Sequence, residues 1–557
     1  MGAVMGTVAA IFAAAAGAIV LVWQWLGSSV AMPASPFSRG EKIPCISYAP
    51  FRGNQNPFGP DVPIDPRQIE QDLSQLKPIT DCVRTYSVDH GLDRIAPIAQ
   101  RYGMKVLQGL WLSSFPELNR KQIETTLDLA KRFPDTIAAI VVGNEVLLRG
   151  EMSPADLADT IQQVRARVPV PVTYADVWAF WLRYGEISPA VDFITIHILP
   201  YWEDIPVPSR YAAAHVDAIR AKVAAAFPGK DILVGEFGWP SAGRMREGAQ
   251  PSLIDQARAM HEVLAAARRE SYRLNLIEAY DQPWKRELEG TVGGHWGLFD
   301  GFRRLPKFAW GGRVSNHPLW LWQAAAGLGL AAGIFLVAFA CHGRCGARPQ
   351  WNPGSLIPTS PKAGRDIRKG DAQSIWLWGR VAVIAAISGS FIGLTIVNVP
   401  LESLTLGDWA RSLAWAAVAL LSPVLSAAAL ASGIRVPAFT QILGRKIEAH
   451  LEVAIGFLLI VLAVLSMQAA LGLVFDPRYR DFSFAPLIGA VAPLLFLAKW
   501  KPRPRPPLAE LAMGLIVVLA AAYIVWNESF ANWQACLFAA GLFALVLILF
   551  RAHDAQS

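Results

Sequence analysis

Charged residues are scarce in this chain and unevenly distributed along it. Only 17% of the 557 residues are Asp, Glu, Lys or Arg, whereas 53% are hydrophobic. A chain of this length with so few charges is not an ordinary soluble enzyme throughout. The charges concentrate between about residues 34 and 312, and long apolar runs dominate the remainder. The sequence therefore predicts one soluble domain joined to a membrane-spanning part.

Motifs for several activities are also missing. The net charge is +7, but no basic stripe with interleaved aromatics occurs in the soluble domain, which excludes nucleic acid as a partner. No Asp-X-Asp and no Gln-X-X-Arg-Trp motif is present, so we do not expect a nucleotide-sugar synthase of the usual kind. We also find no metal-ligating cluster and no nucleotide motif, and we expect neither a metal nor a cofactor.

Cysteine is rare, with five residues in the chain. Cys45 and Cys82 fall on neighbouring predicted strands, so a disulfide between them can form in an oxidising compartment. We favour the alternative of two buried free thiols. Cys341 and Cys345 follow an apolar run, and a lone pair at that spacing is only a weak metal signal.

Long apolar runs of the length that crosses a bilayer, about 20 residues, are the chief feature outside the soluble domain. Eight runs qualify: 4–26, 317–341, 376–399, 409–432, 453–475, 484–500, 508–526 and 534–550. The sixth is short and contains Pro486 and Pro493. The first lacks a basic n-region and exceeds a typical h-region of about 7–15 residues, so we interpret it as an uncleaved anchor.

Basic residues predict the orientation of these spans. The loops after the second, fourth and sixth spans are rich in Lys and Arg, which places them in the cytoplasm by the positive-inside rule. With eight spans both termini are cytoplasmic and the soluble domain lies outside. We therefore predict a multi-pass protein of the bacterial inner membrane with a periplasmic domain. The predicted domains are an N-terminal anchor (1–33), the soluble domain (34–312) and a multi-span all-α domain (313–557).

Strand-like and helix-like segments alternate within the soluble domain. Strands are predicted near 43–48, 81–86, 104–110, 137–143, 170–174, 192–198, 231–236 and 274–279. Helices are predicted between them, including 65–77, 92–101, 120–132, 154–167, 208–226 and 252–270. This alternation favours a parallel sheet. Eight repeats in some 280 residues fit a closed (β/α)₈ TIM barrel, an α/β fold.

Two of the predicted strands end in glycine followed by glutamate. Gly143-Asn144-Glu145 follows the fourth strand, and Gly235-Glu236 ends the seventh. Such a barrel carries its chemistry at the carboxyl ends of its strands. Two glutamates there suggest a pair of carboxylates facing a common cleft. Cleavage of a glycosidic bond needs such a pair: one acid protonates the leaving oxygen, and the other carboxylate attacks or activates water.

Three motifs resemble glycoside hydrolase family 17, the β-1,3-glucanase family. They are Gly143-Asn144-Glu145, the run from Gly235 to Ser241 (GEFGWPS) and the run from His295 to Phe299 (HWGLF), and the likeness covers residues 43–312. The resemblance implies that Glu145 is the general acid/base and Glu236 the nucleophile. It also implies retention of anomeric configuration, for which the carboxyl groups lie about 5–5.5 Å apart.

Residues near the strand ends are candidates for substrate binding. Asn144 is expected to bind a sugar 2-hydroxyl. The other candidates are aromatic or charged side chains expected near the cleft: Tyr48, Arg84, Tyr86, Tyr174, His197, Tyr201, Trp202 and Trp239. Arg84 could equally form a barrel ion pair, and His197 could equally be a packing residue.

The segment after the eighth strand adds charged candidates. The resemblance implies additional carboxylates and a lysine near the catalytic pair, and Glu278, Asp281 and Lys285 match that pattern. They would hold hydroxyls and tune the pKa of the acid. Glycines stand at 290, 293 and 294, where many members of the family have another carboxylate.

The identity of the acceptor decides between two activities. Water acting on a glycosyl-enzyme gives a hydrolase, and a sugar hydroxyl gives a transglycosylase. The combination of barrel and spans resembles bacterial membrane proteins called β-(1,6)-glucan synthases, which implies building β-1,6 linkages or branches on β-1,3-glucan. We favour the transglycosylase over a tethered β-1,3-glucan hydrolase, and both over a non-catalytic glucan-binding protein. Expected partners are glucan donor and acceptor, the bilayer and, as a further candidate, a separate glucan synthase.

Overall fold

The computed structural model describes residues 2–59, 62–346, 366–434, 450–498 and 508–551. It divides into two compact units, one of residues Ser29–Val314 and one of Met1–Ser28 together with Ser315–Ser557.

The unit 29–314 contains a closed barrel of eight parallel strands, in which each strand pairs with the next and the last pairs with the first. The strands are β2 (Ile46–Ser47), β3 (Cys82–Arg84), β4 (Lys105–Leu110), β5 (Ile137–Asn144), β6 (Val172–Val177), β7 (Ile194–His197), β8 (Ile232–Phe237) and β9 (Arg273–Leu276). The predicted (β/α)₈ fold is confirmed. A separate antiparallel pair, β1 (Val30–Ala31) and β10 (Arg313–Val314), joins the two ends of this unit.

Helices alternate with the barrel strands. The α-helices are Pro66–Leu76, Ile95–Arg101, Pro116–Arg132, Pro154–Arg165, Trp178–Arg183, Ala212–Ala226, Leu253–Arg269 and Arg286–Gly293, and short 3₁₀ turns span Leu92–Arg94, Gly185–Ala190, Ser209–Tyr211 and Pro283–Lys285. Local sequence explains several of the starts. Ser153 and Ser252 accept hydrogen bonds from the backbone N–H three residues on, which caps the orphan donors of the first turn.

Residue alternation decides which side chains enter the barrel. In a strand, successive side chains point to opposite faces. On β6, Thr173 hydrogen-bonds Thr195 of β7 at 2.9 Å, whereas Tyr174 packs on Trp181 of a surrounding helix. On β2, Ser47 contacts Tyr86 at 2.7 Å, and the neighbouring Tyr48 points the other way. The same alternation separates site residues from core residues below.

A disulfide joins Cys45 at β2 to Cys82 on β3. We favoured free thiols from the sequence, and that prediction was wrong. The two strands are adjacent and parallel, and their pairing brings the Cα atoms of these cysteines to 4.5 Å, within the range that a disulfide bridges.

The described residues of the second unit form apolar helices, most of them long. They are Gly2–Leu26, Trp320–Gly346, Asp366–Glu402, Leu406–Ser432, His450–Phe475, Phe484–Leu495, Leu508–Glu528 and Trp533–Arg551. In the part of the chain that the structure describes, seven of these are long and apolar enough to cross a membrane. Tryptophans such as Trp25, Trp322 and Trp526 are exposed on them, as is typical of side chains at a membrane interface.

The sixth predicted span is not a full crossing helix. The helix Phe484–Leu495 has 12 residues, or about 18 Å at 1.5 Å per residue, whereas the hydrocarbon core is about 30 Å thick. Pro493 lies within the last turn of this helix and has no N–H for the carbonyl of Gly489. Ser388 supplies that hydrogen bond instead, at 2.9 Å, from a neighbouring helix. Most basic residues of the orientation argument lie in 347–365, 435–449 and 499–507, outside the described residues, whereas Arg344, Arg368 and Lys369 belong to the helices Trp320–Gly346 and Asp366–Glu402.

Candidate active site

Glu145 stands directly after β5, in a turn with left-handed backbone conformation. Its φ is 54°, and that of Gly143 is 83°. A Cβ on Gly143 would meet the side chain of Val146 at 2.7 Å, so only glycine fits there. The N–H of Glu145 donates to the carbonyl of Ala175 on β6 at 2.8 Å. This turn aims the Glu145 carboxylate into the mouth of the barrel, as its contacts with barrel-interior residues show.

Glu236 lies within β8 and is buried. The hydroxyl of Tyr86 donates to its Oε1 at 2.8 Å, and Nη1 of Arg84 approaches the same oxygen at 3.2 Å. Tyr86 is itself oriented by a relay, since Asn275 donates to Ser47 and Ser47 contacts the Tyr86 hydroxyl. Burial raises the pKa of Tyr86, and the charge of Glu236 raises it further. Tyr86 therefore stays protonated and remains a donor.

His197 ends β7 between the two glutamates. Its Nδ1 lies 2.8 Å from Oε1 of Glu145, and its Nε2 lies 3.5 Å from Oε1 of Glu236. Ligand atoms of the three side chains all lie within 4.8 Å of one another. Carboxylate oxygens this close together fit retaining glycosidases, whose carboxyl groups lie about 5–5.5 Å apart, better than inverting ones, at about 6.5–9.5 Å.

Arg84 connects these groups from β3. Its guanidinium donates to the carbonyl of Gly235 and to Oδ1 of Asn144, both at 2.6 Å, and to Nε2 of His197 at 3.2 Å. The side chain is fully buried. The sequence left two interpretations of Arg84, a site residue and a partner in a barrel ion pair. Both apply, because the ion pair that Arg84 makes in the barrel is with Glu236 itself.

The electrostatics of Glu145 reflect its neighbours. Burial alone would raise the pKa of Glu145, but the hydrogen bond with His197 and the positive charges of Arg149 and Arg84 outweigh burial and hold the pKa below its ordinary value. Glu145 is also the more accessible of the two glutamates, with a side chain 23% exposed against 6% for Glu236. The outer carboxylate is therefore the one that can meet a leaving group or an acceptor.

A second charged group flanks the pair. Nζ of Lys285 lies 2.8 Å from Oε1 of Glu278, and both side chains are largely buried. Burial raises the pKa of Glu278 to about 7 in spite of this lysine. Burial also raises the pKa of Glu289, and the negative charges of Glu145 and Glu236 add to the effect.

Glu289 was not among the site residues predicted from the sequence, which drew attention only to the glycines at 290, 293 and 294. Gly290 has φ 68° and ψ −171°, a conformation that breaks the helix Arg286–Gly293 directly after Glu289. The extra carboxylate of this site thus comes from residue 289. Gly290, directly after a charged helical turn, is the sequence signal that could have identified Glu289.

Asp281 belongs to a different network. It accepts from Nζ of Lys307 at 2.6 Å and from the N–H of Gly297 at 2.9 Å. Burial would raise the pKa of Asp281, but Lys307 and His295 outweigh it and the pKa lies below its usual value. Its lysine partner is therefore Lys307, which the sequence did not single out, and Lys285 pairs with Glu278.

Four of the predicted aromatic site residues hydrogen-bond to groups other than the two glutamates. Tyr48 donates to Asp72 of the helix Pro66–Leu76 at 3.0 Å, so the prediction that it faces the cleft was wrong. Tyr174 contacts Asp176 and accepts from the N–H of Leu147 at 3.0 Å, which supports the turn carrying Glu145. Tyr201 and Trp239 are fully buried and donate to the backbone carbonyls of Arg244 and Gln250.

Trp202 remains a candidate sugar platform. It is half-buried and lies nearly parallel to Trp296, with ring centroids 6.4 Å apart and an interplanar angle of 16°. Trp296 comes from the third sequence motif but was not among the predicted site residues. Its ring approaches Gly238, just after the strand that holds Glu236.

The trio of Glu145, His197 and Glu236 is also close enough for its ligand atoms to surround a cation. Arg84 argues against that use, because its guanidinium already contacts Glu236 and His197 at 3.2 Å. A metal ion there would be repelled by this charge. The arrangement fits acid–base and nucleophilic chemistry instead.

The site has two adjacent carboxylates at the carboxyl ends of barrel strands. One is buried and contacts an arginine and a tyrosine, and the other is more accessible. This arrangement defines a glycoside hydrolase-type enzyme. Comparison with known proteins agrees. Residues 45–297 match the BtgE/BtgC glycoside hydrolase domain. The prediction of an enzyme is confirmed, and Glu145 and Glu236 fit its two catalytic glutamates.

Relatives are similar over the barrel region. A glucan 1,3-beta-glucosidase of Saccharomyces cerevisiae is 26% identical over 252 residues, which cover 41% of this chain and 80% of the relative. A glucan 1,3-beta-glucosidase of Arthroderma benhamiae is 28% identical over 267 residues, covering 44% and 84%. Among solved structures, a glycoside hydrolase family 17 beta-1,3-glucanosyltransferase from Rhizomucor miehei is 25% identical with a TM-score of 0.42, covering 47% of this chain and 94% of that one.

Proposed function

We propose that this chain is a membrane-anchored retaining transglycosylase that cleaves β-1,3-glucan and builds β-1,6 linkages or branches from it. The observation that carries the chemistry is the approach of Glu145 and Glu236 to within 4.8 Å. A gap of that size leaves room for direct attack on the sugar and too little for a water between carboxylate and sugar.

In the first step Glu236 attacks the anomeric carbon and forms a glycosyl ester. Protonated Glu145 gives its proton to the glycosidic oxygen as that bond breaks, and the reducing-end fragment leaves as an alcohol. Arg84 and Tyr86 hold Oε1 of Glu236 by two donors. They fix the carboxylate so that its other oxygen is the one directed at the sugar.

In the second step Glu145, now ionised, takes the proton of an incoming hydroxyl. That oxygen bonds to the anomeric carbon, and Glu236 leaves as a carboxylate. Asn144 contributes to both steps. Since arginine only donates, Asn144 must turn Oδ1 to Arg84, and its NH₂ group is left to donate to the sugar 2-hydroxyl.

Relatives support the donor more than the acceptor. The glucan 1,3-beta-glucosidases named above favour a β-1,3-glucan as the sugar that is cleaved. Their names also favour the alternative function, a membrane-tethered β-1,3-glucan hydrolase. The β-1,6 linkage rests on the resemblance of the combined barrel and spans to β-(1,6)-glucan synthases, as does a separate synthase as partner.

The membrane setting is part of the proposal. The seven long apolar helices among the described residues support a multi-pass protein. The Cys45–Cys82 disulfide supports an oxidising compartment for the barrel, as the bacterial periplasm is. The positive-inside pattern of the loops also supports the periplasmic side for the barrel. Placement in a bacterial inner membrane rests on the sequence resemblance, since the curated relatives named above are fungal.

Purified full-length protein in detergent, incubated with a β-1,3-gluco-oligosaccharide, tests the proposal. Mass spectrometry reads the product sizes and NMR reads the linkages, with Glu236→Gln as control. We expect products longer than the substrate, carrying new β-1,6 signals. Shorter products alone would establish the hydrolase. Products that persist in Glu236→Gln would contradict the assignment of the site.

A further inference from the structure

The ring of His197 makes contacts that fix where its proton lies. His197 is at the end of β7, and a register shift pairs it with Glu236 of β8. Its side chain is 1% exposed. The charged groups around it come from four strands or strand ends: Arg84 on β3, Glu145 after β5, Asp176 on β6 and Glu236 on β8.

Arg84 determines which ring nitrogen is protonated. Nη2 of Arg84 lies 3.2 Å from Nε2 of His197. A guanidinium has donors and no acceptor, so Nε2 must accept and cannot carry a hydrogen. The hydrogen therefore lies on Nδ1, which is 2.8 Å from Oε1 of Glu145. The contact of Nε2 with Glu236 is longer, at 3.5 Å, and it does not compete.

We propose that His197 is a positioning residue that Arg84 holds in the neutral Nδ1–H form, so that it donates to Oε1 of Glu145 and sets the pH range in which Glu145 can act as the acid. This inference rests on the proposed function, in which Glu145 is the acid/base. One carboxylate oxygen of Glu145 is then committed to His197. The other, Oε2, carries the proton that is transferred and later takes one from the acceptor.

The expected consequence concerns the alkaline limb of the pH profile of kcat/KM. A donor to the ionised carboxylate favours that form, so Glu145 loses its proton at lower pH than it would without His197. The loss of kcat/KM on the alkaline side then occurs at lower pH. Removal of the Nδ1 donor should move this limb upward by about one pH unit, the equivalent of a hydrogen bond to a charged group.

A pair of amide substitutions separates this role from packing. In His197→Asn the side-chain NH₂ takes the place of Nδ1 and can still donate to Glu145. In His197→Gln the NH₂ reaches toward the place of Nε2 instead, and the donor to Glu145 is lost. Both variants are polar and of similar size, so a difference between them reports the donor.

We would measure kcat/KM on a β-1,3-gluco-oligosaccharide across pH for wild type and both variants, as full-length protein in detergent. The inference predicts an alkaline limb displaced upward by about one pH unit in His197→Gln and near the wild-type position in His197→Asn. Equal displacement in both, or none in either, would overturn it. Melting temperatures are recorded alongside, because a packing role would lower them without moving the limb.

The tautomer can be measured without any activity. In protein labelled with ¹⁵N-histidine, the ring shifts distinguish Nδ1–H from Nε2–H, and His197→Asn identifies the signal. An Nδ1–H signal for His197 is expected, and an Nε2–H or doubly protonated signal at neutral pH would overturn the inference. If wild type does not act on the oligosaccharide, the proposed function fails while this measurement still decides the state of His197.

Discussion

The barrel and the helical unit both bury polar side chains, and they use them in opposite ways. In the helical unit, Ser388 and Ser422 donate to the carbonyls of Gly489 and Ala490, and the first of these bonds takes the place of the one that Pro493 cannot make. In the barrel, Arg84 and Glu236 form a buried ion pair at 3.2 Å. The serines complete a backbone, whereas the ion pair holds reactive groups together.

This contrast indicates where the chemistry lies. A buried ion pair is often no more stabilising than apolar packing of the same volume. Its presence in the barrel is explained by what it positions, namely a carboxylate beside a second carboxylate. Substitutions in the barrel site that leave no buried charge unpaired should therefore change catalysis far more than stability, and substitutions at the serines should do the reverse.

Substitution of the two glutamates should give the largest losses of activity, and the two losses should differ in kind. Glu236→Gln removes the nucleophile and should lower kcat by roughly 10⁴-fold or more on any glucoside. Glu145→Gln removes the acid and should cost about 10²–10⁴-fold on an oligosaccharide. On a dinitrophenyl glucoside, whose leaving group needs no proton, the glycosylation step of Glu145→Gln should be nearly normal.

Pre-steady-state release of dinitrophenol measures that step. A burst in Glu145→Gln and none in Glu236→Gln is the predicted pattern. The reverse pattern would mean that the two roles have been exchanged.

Arg84 should matter next. Arg84→Met leaves Glu236 buried without its cation, and breaking such a pair costs about 3–5 kcal/mol. Arg84→Lys keeps the charge but cannot contact Asn144, Gly235, Glu236 and His197 together, so activity should fall while stability is largely kept. Thermal unfolding and kcat of both variants check this. Equal stability of Arg84→Met and wild type would show that the pair is not buried as described.

Tyr48 and Tyr86, which follow the neighbouring strands β2 and β3, form a matched pair for substitution. Tyr86→Phe removes a donor to Glu236 and should lower kcat roughly 10-fold, since one hydrogen bond to a charged group contributes about 1.5–3 kcal/mol. Tyr48→Phe removes a bond to Asp72 outside the barrel and should leave kcat unchanged. Steady-state kinetics of both variants compare them directly, and a loss in Tyr48→Phe equal to that in Tyr86→Phe would contradict the assignment of faces.

Glu278 should give the barrel a pH-dependent stability. Its pKa in the folded protein is about 7, above the unfolded value of about 4.3. Between these values the folded state keeps a proton that the unfolded state has lost, so stability falls as pH rises. Melting temperatures at pH 5 and pH 7.5 should differ less in Glu278→Gln than in wild type. An unchanged difference would count against the raised pKa.

Ser388 in the helical unit should give the smallest effect. Ser388→Ala leaves the carbonyl of Gly489 without its donor and should cost about 1 kcal/mol. Catalysis on soluble oligosaccharides should not change, because the residue belongs to the unit that carries no catalytic glutamate. A melting curve and a kcat measurement suffice, and a large loss of kcat would tie the helical unit to the chemistry.

Much of the fold was readable because it follows from periodic signals. Apolar runs such as Ile137–Asn144 predicted strands, and helical segments between them predicted the barrel. The glycines before Glu145 and Glu236 marked both site strands. We expected eight apolar runs to span a membrane. Among the described residues, seven helices are long and apolar enough to do so. Domain boundaries and the roles of individual site residues stay predictions.

Other features depended on contacts that a pattern does not carry. Tyr48 and Tyr86 both follow strands, and only the register of β2 and β3 decides which enters the barrel. The partner of Asp281 is Lys307, which is far along the chain and on no motif. The Cys45–Cys82 bond needed the distance between two strands. Pro493 was visible, but the serine that satisfies the carbonyl it frees lies on another helix.

The most direct test of the account is to trap the glycosyl-enzyme. Full-length protein is incubated with a 2-deoxy-2-fluoroglucoside bearing a good leaving group, which slows release of the covalent intermediate, and the digested protein is analysed by mass spectrometry. We expect one sugar per chain, attached to Glu236, and none in Glu236→Gln. A sugar on another residue, or turnover with inversion and no covalent adduct, would contradict it.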